Sequence, residues 1–256
     1  MVQMSSGLAF HSIHSVGPNA PVIAEVPLTV QRAFNSIRPM LRTIPRGERV
    51  AVTAGSRGID RVDEVIREAC RSLREAGVDP FIVPSMGSHG GATAEGQRRL
   101  LEHLGISETR MGVPVVSSME TVSVGHTSTG IEVFMDRVAW DCGRVFVINR
   151  VKPHTDFDGM VESGLLKIIA VGLGKLEGAT NFHRNALRCG YELTILEMSR
   201  CSVASGKILG GLGVIENDRH RLCQLRATYK TTSLANSEKE SRPRSFCSDF
   251  VTFRNW

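Results

Sequence analysis

Over most of its length, the chain alternates short apolar runs with segments whose apolar positions fall on one helical face. The runs "RVAVTAG" (49–55) and "PFIVPS" (80–85) predict buried strands that end in small or turn-forming residues. The segment between them (58–77) predicts an amphipathic helix, with Asp60 as its N-cap and Gly77 as its C-terminal stop. The apolar face of that helix carries Val62, Val65, Ile66, Ala69 and Leu73.

The same alternation continues toward the C-terminus. A glycine loop in 87–105 precedes a helix that begins near Thr93, and "RVFVINR" (144–150) predicts another buried strand. Residues 113–135 are β-branched and interrupted by turn residues, which favours hairpins or a small edge sheet, whereas 191–206 has a helical pattern. We therefore predict an α/β fold, with a layered, mostly parallel sheet, helices on both faces and a small β-rich insertion.

The distribution of charge divides the chain into two parts. The formal net charge is +5, yet residues 1–217 contain 23 Lys and Arg against 22 Asp and Glu. Residues 218–256 contain 8 against 4, are rich in Ser and Thr and show little periodicity, which predicts a divergent, basic, disordered tail. The body of the chain thus lacks the charge pattern of a nucleic-acid-binding protein, and 1–217 is predicted to be the α/β domain.

Other global features favour a cytoplasmic protein without a membrane partner. The N-terminus lacks a basic segment followed by an apolar core, and no run of about 18 apolar residues occurs. Six cysteines are scattered without a C-x-x-C pair, which indicates reduced thiols: Cys70, Cys142, Cys189, Cys201, Cys223 and Cys247.

Three predicted strands end in polar groups able to bind or catalyse. Arg57 follows the first strand in "TAGSRG", His89 follows the second in "SMGSHGG", and His154 follows the strand at 144–150 in "VKPHTD". Because the carboxyl ends of parallel strands share one edge of a sheet, we expect these side chains to lie together at a ligand site. The glycines around His89 suit either close approach of backbone amides to a phosphate or a simple tight turn.

Lys167 lies within the apolar run "GLLKIIAVGLG" (164–174). Its ammonium either reaches the surface along an aliphatic stem or stays in apolar surroundings as a nucleophile or attachment point. His183 either caps a helix or ligates a metal, and the sequence lacks an H-E-x-x-H motif or carboxylate cluster to complete such a site. A metal here would therefore need ligands from outside this chain.

In order, "TAGSRG", "GSHGG", "KPHTDF", "LLKIIAVGLGK" and "NFHR" resemble the nickel-pincer-dependent lactate racemase family, which inverts the configuration of 2-hydroxy acids. The resemblance covers roughly residues 20–217. It implies that Lys167 is covalently attached to the nickel-pincer nucleotide, pyridinium-3,5-bisthiocarboxylic acid mononucleotide. This cofactor supplies two sulfurs and a ring carbon to nickel, and His183 completes the coordination.

The resemblance also assigns the remaining candidates. His89 and His154 match the two bases that handle the hydroxyl proton of either enantiomer, while the cofactor takes a hydride from the carbinol carbon and returns it. Arg57 matches the arginine that binds the substrate carboxylate, and Ser88, Gly90 and Gly91 match a loop that holds the cofactor phosphate. The implied partners are a small carboxylate substrate and the enzymes that make the cofactor.

The chain departs from the family after "GGLGVIEN" (210–217), where family members continue into a second domain that closes over the site. The change in composition indicates a truncated product or a shifted reading frame, with the second domain missing. Two other hypotheses remain open: a zinc-dependent hydrolase that uses His89, His154 and His183, and a non-catalytic remnant that binds a ligand or partner without turnover.

Overall fold

The computed structural model describes residues 21–152 and 163–229. Its strands are β1 (Arg49–Ala54), β2 (Asp79–Pro84), β3 (Thr121–His126), β4 (Glu132–Asp136), β5 (Val145–Arg150), β6 (Ile208–Glu216) and β7 (Leu222–Tyr229). Its helices are α1 (Val26–Ser36), α2 (Arg38–Leu41), α3 (Val62–Glu75), α4 (Ala94–His103), α5 (Glu108–Met111), α6 (Arg137–Cys142), α7 (Leu165–Lys167), α8 (Lys175–Cys189) and α9 (Tyr191–Ala204). A 3₁₀ turn spans Gly90–Ala92, and a π-helical segment spans Ile168–Gly172.

Five of the strands form one sheet in the order β2-β1-β5-β6-β7. Neighbours from β2 to β6 pair in parallel, whereas β7 pairs antiparallel with β6. The strands β3 and β4 form a separate antiparallel pair, where the sequence predicted a small β-rich insertion. The predicted α/β fold with a mostly parallel sheet is confirmed.

The sheet separates two hydrophobic cores because alternate residues of a strand point to opposite faces. In β1, Val50 and Val52 belong to the core beneath α1, α3 and α4, whereas Ala51 belongs to the opposite core. The opposite core contains side chains from α6 to α9 and from the β3–β4 pair. Each face of the sheet is therefore covered, as the apolar runs of the strands require.

The N-terminus of α3 differs from the prediction. Arg61 occupies the N-cap position with a left-handed backbone (φ 55°), and no side chain caps the helix. The predicted cap, Asp60, instead accepts hydrogen bonds from the backbone N–H of Leu222 (2.9 Å) and from Nε of Arg221 (3.1 Å). Because those partners lie about 160 residues away, local sequence gave no sign of this use of the carboxylate.

The predicted domain end at residue 217 is too early. Seven residues of β6 pair with β7, and Leu222 at the start of β7 is fully buried in the core beneath α1. The run 222–229 therefore belongs to the sheet and is not part of a loose tail, while residues 230–256 lie outside the described part of the chain. No helix within residues 21–152 and 163–229 is long and apolar enough to cross a membrane.

If β7 is integral to the domain, Leu222→Ala should lower the free energy of unfolding by about 2–5 kcal/mol, because it leaves a cavity in the core. Arg219→Ala, in the exposed turn before β7, is the matched control and should change it by less than about 0.5 kcal/mol. Urea denaturation followed by circular dichroism measures both. Equal, negligible effects would show that 218–229 is a loose tail.

Candidate active site

A cavity of about 530 Å³ lies at the carboxyl edge of the parallel strands. Arg57 reaches it from the loop after β1, His89 from the loop after β2, and Asn149 from the end of β5. The chain moves outward from β1 to β2 and then returns to β5 on the other side of β1. The cavity thus lies at the reversal of strand order where ligands bind in open α/β sheets.

Four of the predicted site residues line this one cavity: Arg57, His89, Lys167 and His183. The last two enter from the other wall, Lys167 from the end of α7 and His183 from α8. His154, the predicted second base, lies outside the described residues. Ser88, Gly90 and Gly91 are described but are not among the residues that line the cavity, and their predicted role in binding phosphate stays a prediction.

A π-helical segment follows directly after Lys167 and has a hydrogen bond from the N–H of Leu173 to the carbonyl of Ile168 (2.8 Å). Such segments often mark functional positions because they change the direction of side chains along a helix. Gly172 closes the segment, and its carbonyl accepts a hydrogen bond from the N–H of Gly87 (3.1 Å). A β-carbon at Gly172 would lie 2.5 Å from the carbonyl oxygen of Ser85, so only glycine allows this approach.

The start of α7 is held by Asn149, which sequence reasoning did not single out. Its Nδ2 donates a hydrogen bond to the carbonyl of Gly164 (2.8 Å), the N-cap residue of α7. This hydrogen bond therefore joins the end of β5 directly to α7, the helix that carries Lys167. Lys167 is half-buried and lines the cavity, so a ligand in the cavity can reach it.

His89 is exposed to the cavity and interacts with Ser56, which sequence reasoning also missed. Ser56 Oγ lies 2.5 Å from His89 Nδ1, and the imidazole tautomer decides which atom donates. Partial burial of the ring and the nearby Arg57 guanidinium both lower the pKa of His89. The imidazole is therefore neutral near physiological pH, as a proton acceptor must be.

Gly90, directly after His89, has a packing function. Gly90 has a left-handed backbone (φ 69°), and a β-carbon there would lie 2.7 Å from the backbone nitrogen of Gln97. Thr93 caps α4 by accepting a hydrogen bond from the N–H of Gly96 (3.0 Å), which confirms the predicted helix start. The loop thus packs closely against the first turn of α4, and this contact explains Gly90 without any ligand.

Among the described lysines, the fully buried one is Lys175, whereas Lys167 is half-buried. Lys175 follows the π-helical segment, has no exposed surface and forms an ion pair with Asp136 (2.9 Å). Burial lowers the pKa of Lys175, and the Asp136 carboxylate opposes that effect. In the sequence the apolar run around Lys167 extends to Lys175, so the pattern alone does not distinguish which of the two lysines is buried.

The cavity fits a cofactor that brings most of its own metal ligands. Its volume is within the usual range for small-molecule sites, roughly 300–1,000 Å³, and it presents an amine and an imidazole on one wall. Within residues 21–152 and 163–229, no three His, Cys, Asp or Glu side chains come together as a metal site. The donors that this wall offers, the amine of Lys167 and the imidazole of His183, are compatible with such a group.

Comparison with known proteins gives the family. The family model for the lactate racemase N-terminal domain matches residues 25–192, well over half of the chain, and that span contains Arg57, His89, Lys167 and His183. The chain belongs to this family. No curated protein matches it.

A solved structure supports the fold. The lactate racemase apoprotein from Thermoanaerobacterium thermosaccharolyticum is similar to this chain with a TM-score of 0.56 at 14% sequence identity. The match covers 81% of this chain and 53% of that one, so this chain spans about half the length of the solved relative. At this identity the likeness establishes the architecture, whereas activity has to be argued from the site.

Replacing Arg57 by Gln should raise the pKa of His89 toward the ordinary histidine value of about 6.5, since it removes the nearby cation. Arg57→Lys is the matched control, because it keeps a positive charge at the same position. NMR titration of the histidine ring signals, with His89→Gln used to assign the resonance, measures the shift. The same His89 pKa in the wild type, Arg57→Gln and Arg57→Lys would contradict the proximity of Arg57 and His89.

Proposed function

We propose that this domain belongs to an isomerase that racemises or epimerises a small 2-hydroxy acid with a nickel-pincer nucleotide attached to Lys167. The observation that carries the proposal is the position of Arg57, His89, Lys167 and His183 around one cavity, in a chain of the lactate racemase N-terminal domain family. Each of these side chains has a chemical task in that reaction, and each task suits the residue type.

Arg57 binds the substrate carboxylate. Its guanidinium presents paired N–H donors that match the two oxygens of a carboxylate, and it stays charged throughout the working pH range. The residue is exposed on the loop after β1 and borders the cavity beside His89. A carboxylate held there would place the adjacent carbinol carbon next to the imidazole.

His89 accepts the hydroxyl proton of one enantiomer. For Nε2 to accept it, Nδ1 must carry the other ring hydrogen and donate it to Ser56 Oγ, which lies 2.5 Å away. Because the Ser56 hydroxyl can accept that hydrogen, the contact is compatible with the useful tautomer, and it also restrains the orientation of the ring. His154 is proposed as the base for the opposite enantiomer, because inversion at carbon requires proton transfer on both sides of the substrate.

Lys167 and His183 would hold the cofactor. The amine would carry the covalent link, and the imidazole would provide one nitrogen ligand to nickel, a metal that accepts nitrogen and soft sulfur donors. When bound, the cofactor supplies the acceptor for the hydrogen of the carbinol carbon. The side chains of this domain bind and orient the substrate and remove its hydroxyl proton. The proposed partners are the enzymes that assemble the cofactor.

Replacing Lys167 by Ala should abolish covalent attachment, because no amine remains at the end of α7. Intact-mass spectrometry of protein produced together with cofactor-making enzymes should show a mass increase in the wild type and none in the variant. Lys152→Ala is the matched control, since Lys152 also borders the cavity and should keep the adduct. An adduct that survives Lys167→Ala would remove the proposed anchor.

Replacing His183 by Ala should leave the adduct on Lys167 but lower nickel retention, because one of the metal ligands is lost. Elemental analysis after dialysis measures nickel and zinc per chain, and His103→Ala, on the exposed side of α4, should retain nickel as the wild type does. Zinc without an adduct would favour the hydrolase hypothesis. A wild-type chain with neither metal nor adduct would favour the non-catalytic remnant.

A further inference from the structure

A buried polar cluster lies beneath the loop that carries His89. Lys175, Asp136 and Gln97 have no exposed surface. Nζ of Lys175 lies 2.9 Å from Oδ2 of Asp136 and donates to Oε1 of Gln97 (3.2 Å). It also donates to the backbone carbonyl of Pro84, the last residue of β2, at 2.5 Å. None of these three side chains borders the cavity, so the reaction proposed above does not use them directly.

The ammonium of Lys175 orients the amide of Gln97. An ammonium group only donates hydrogen bonds, so the amide oxygen must face it and the amide nitrogen must point away. Nε2 of Gln97 then donates to the backbone carbonyls of Gly87 (2.8 Å) and His89 (3.2 Å). A continuous set of contacts therefore runs from Asp136 through Lys175 and Gln97 to the backbone of His89.

The same contacts reach the π-helical segment that directly follows Lys167. Lys175 lies three residues beyond the end of the π-helical segment, and its backbone has a left-handed conformation (φ 52°) that is uncommon for a residue with a side chain. The N–H of Gly87 is hydrogen-bonded to the carbonyl of Gly172. The cluster thus connects both walls of the cavity, the loop after β2 and the π-helical segment.

Burial of a lysine–aspartate pair gives little net stability, because desolvation of the two charges offsets their attraction. An apolar pair of similar volume would fill this space as well or better. The pair does, however, impose a single arrangement on the groups around it, since each charged atom requires its partner. We therefore expect the ion pair to fix the positions of the neighbouring groups more than to stabilise the fold. Fixed positions matter most where two walls of a site must be held at a set distance.

We propose that Lys175 is a positioning residue: through Gln97 it holds His89 at a fixed place relative to Lys167. The proposal rests on the proposed function, because His89 needs this precision only if it transfers a proton to or from a substrate held near Lys167. Neither Lys175 nor Gln97 touches the substrate in this account, and their effect passes through the backbone of the loop.

The test uses Gln97→Met, which keeps the side-chain volume and the Lys175–Asp136 pair but removes both hydrogen bonds to the loop. In the unloaded protein, NMR with ¹³C-labelled histidine should show a shifted His89 ring signal and a weakened contact between that ring and Ser56. In the loaded enzyme, kcat should fall on the order of 10- to 100-fold, the penalty for misplacing a reacting group.

Leu101→Ala is the matched control, one turn further along α4 and also fully buried. It should lower thermal stability more than Gln97→Met while leaving the His89 signal in place, because the Gln97 amide is intact. A second test replaces the ion pair as a unit, Lys175→Met with Asp136→Asn. The new amide keeps an oxygen to accept from the N–H of Ala139, as Asp136 does now (2.9 Å), and the His89 signal should shift as in Gln97→Met.

An unchanged His89 signal in Gln97→Met, an equal shift in Leu101→Ala, or an unchanged signal in the double variant would each overturn the proposal. These outcomes are separate from the fate of the proposed function. A shifted His89 signal in a chain that never acquires an adduct would leave the positioning role intact and remove the racemase. An adduct on the wild-type chain together with an unchanged His89 signal in Gln97→Met would support the racemase and remove the positioning role.

Discussion

The site depends on one close contact between two backbones. Gly172, at the end of the π-helical segment, lies so near Ser85, just beyond β2, that a β-carbon would meet the carbonyl oxygen of Ser85 at 2.5 Å. This contact brings Lys167 to the carboxyl edge of the sheet, where the loops after β1 and β2 present Arg57 and His89. Because Ser85 and Gly172 both line the cavity, a larger side chain at residue 172 would push its two walls apart.

The chemistry of the site can be predicted from sequence to the extent that it follows from local pattern. Short apolar runs give the strands, and in a parallel sheet the strand ends share an edge. Arg57 and His89 therefore come together without knowledge of any side-chain contact. The roles proposed for Lys167 and His183 rest on the ordered motifs of the family, since a single lysine and a single histidine do not define a metal site.

The features that the sequence did not reveal all depend on distant partners. Asp60 looked like a helix cap, but its carboxylate binds the start of β7, more than 150 residues later. Lys175 and Gln97 are separated by 78 residues and give no periodic signal. The strand β7 lies in a stretch whose composition resembles a tail, and only pairing with β6 shows that it belongs to the sheet. Each of these is a tertiary contact that overrides local preference.

The most direct measurement of the central claim is anomalous X-ray scattering at the nickel edge from crystals of the loaded chain. The account predicts one nickel peak in the cavity, about 2 Å from a ring nitrogen of His183, which is the usual length of a metal–imidazole bond. Continuous electron density should join the organic ligand of that nickel to Nζ of Lys167. A nickel peak outside the cavity, or density that ends short of Lys167, would contradict it.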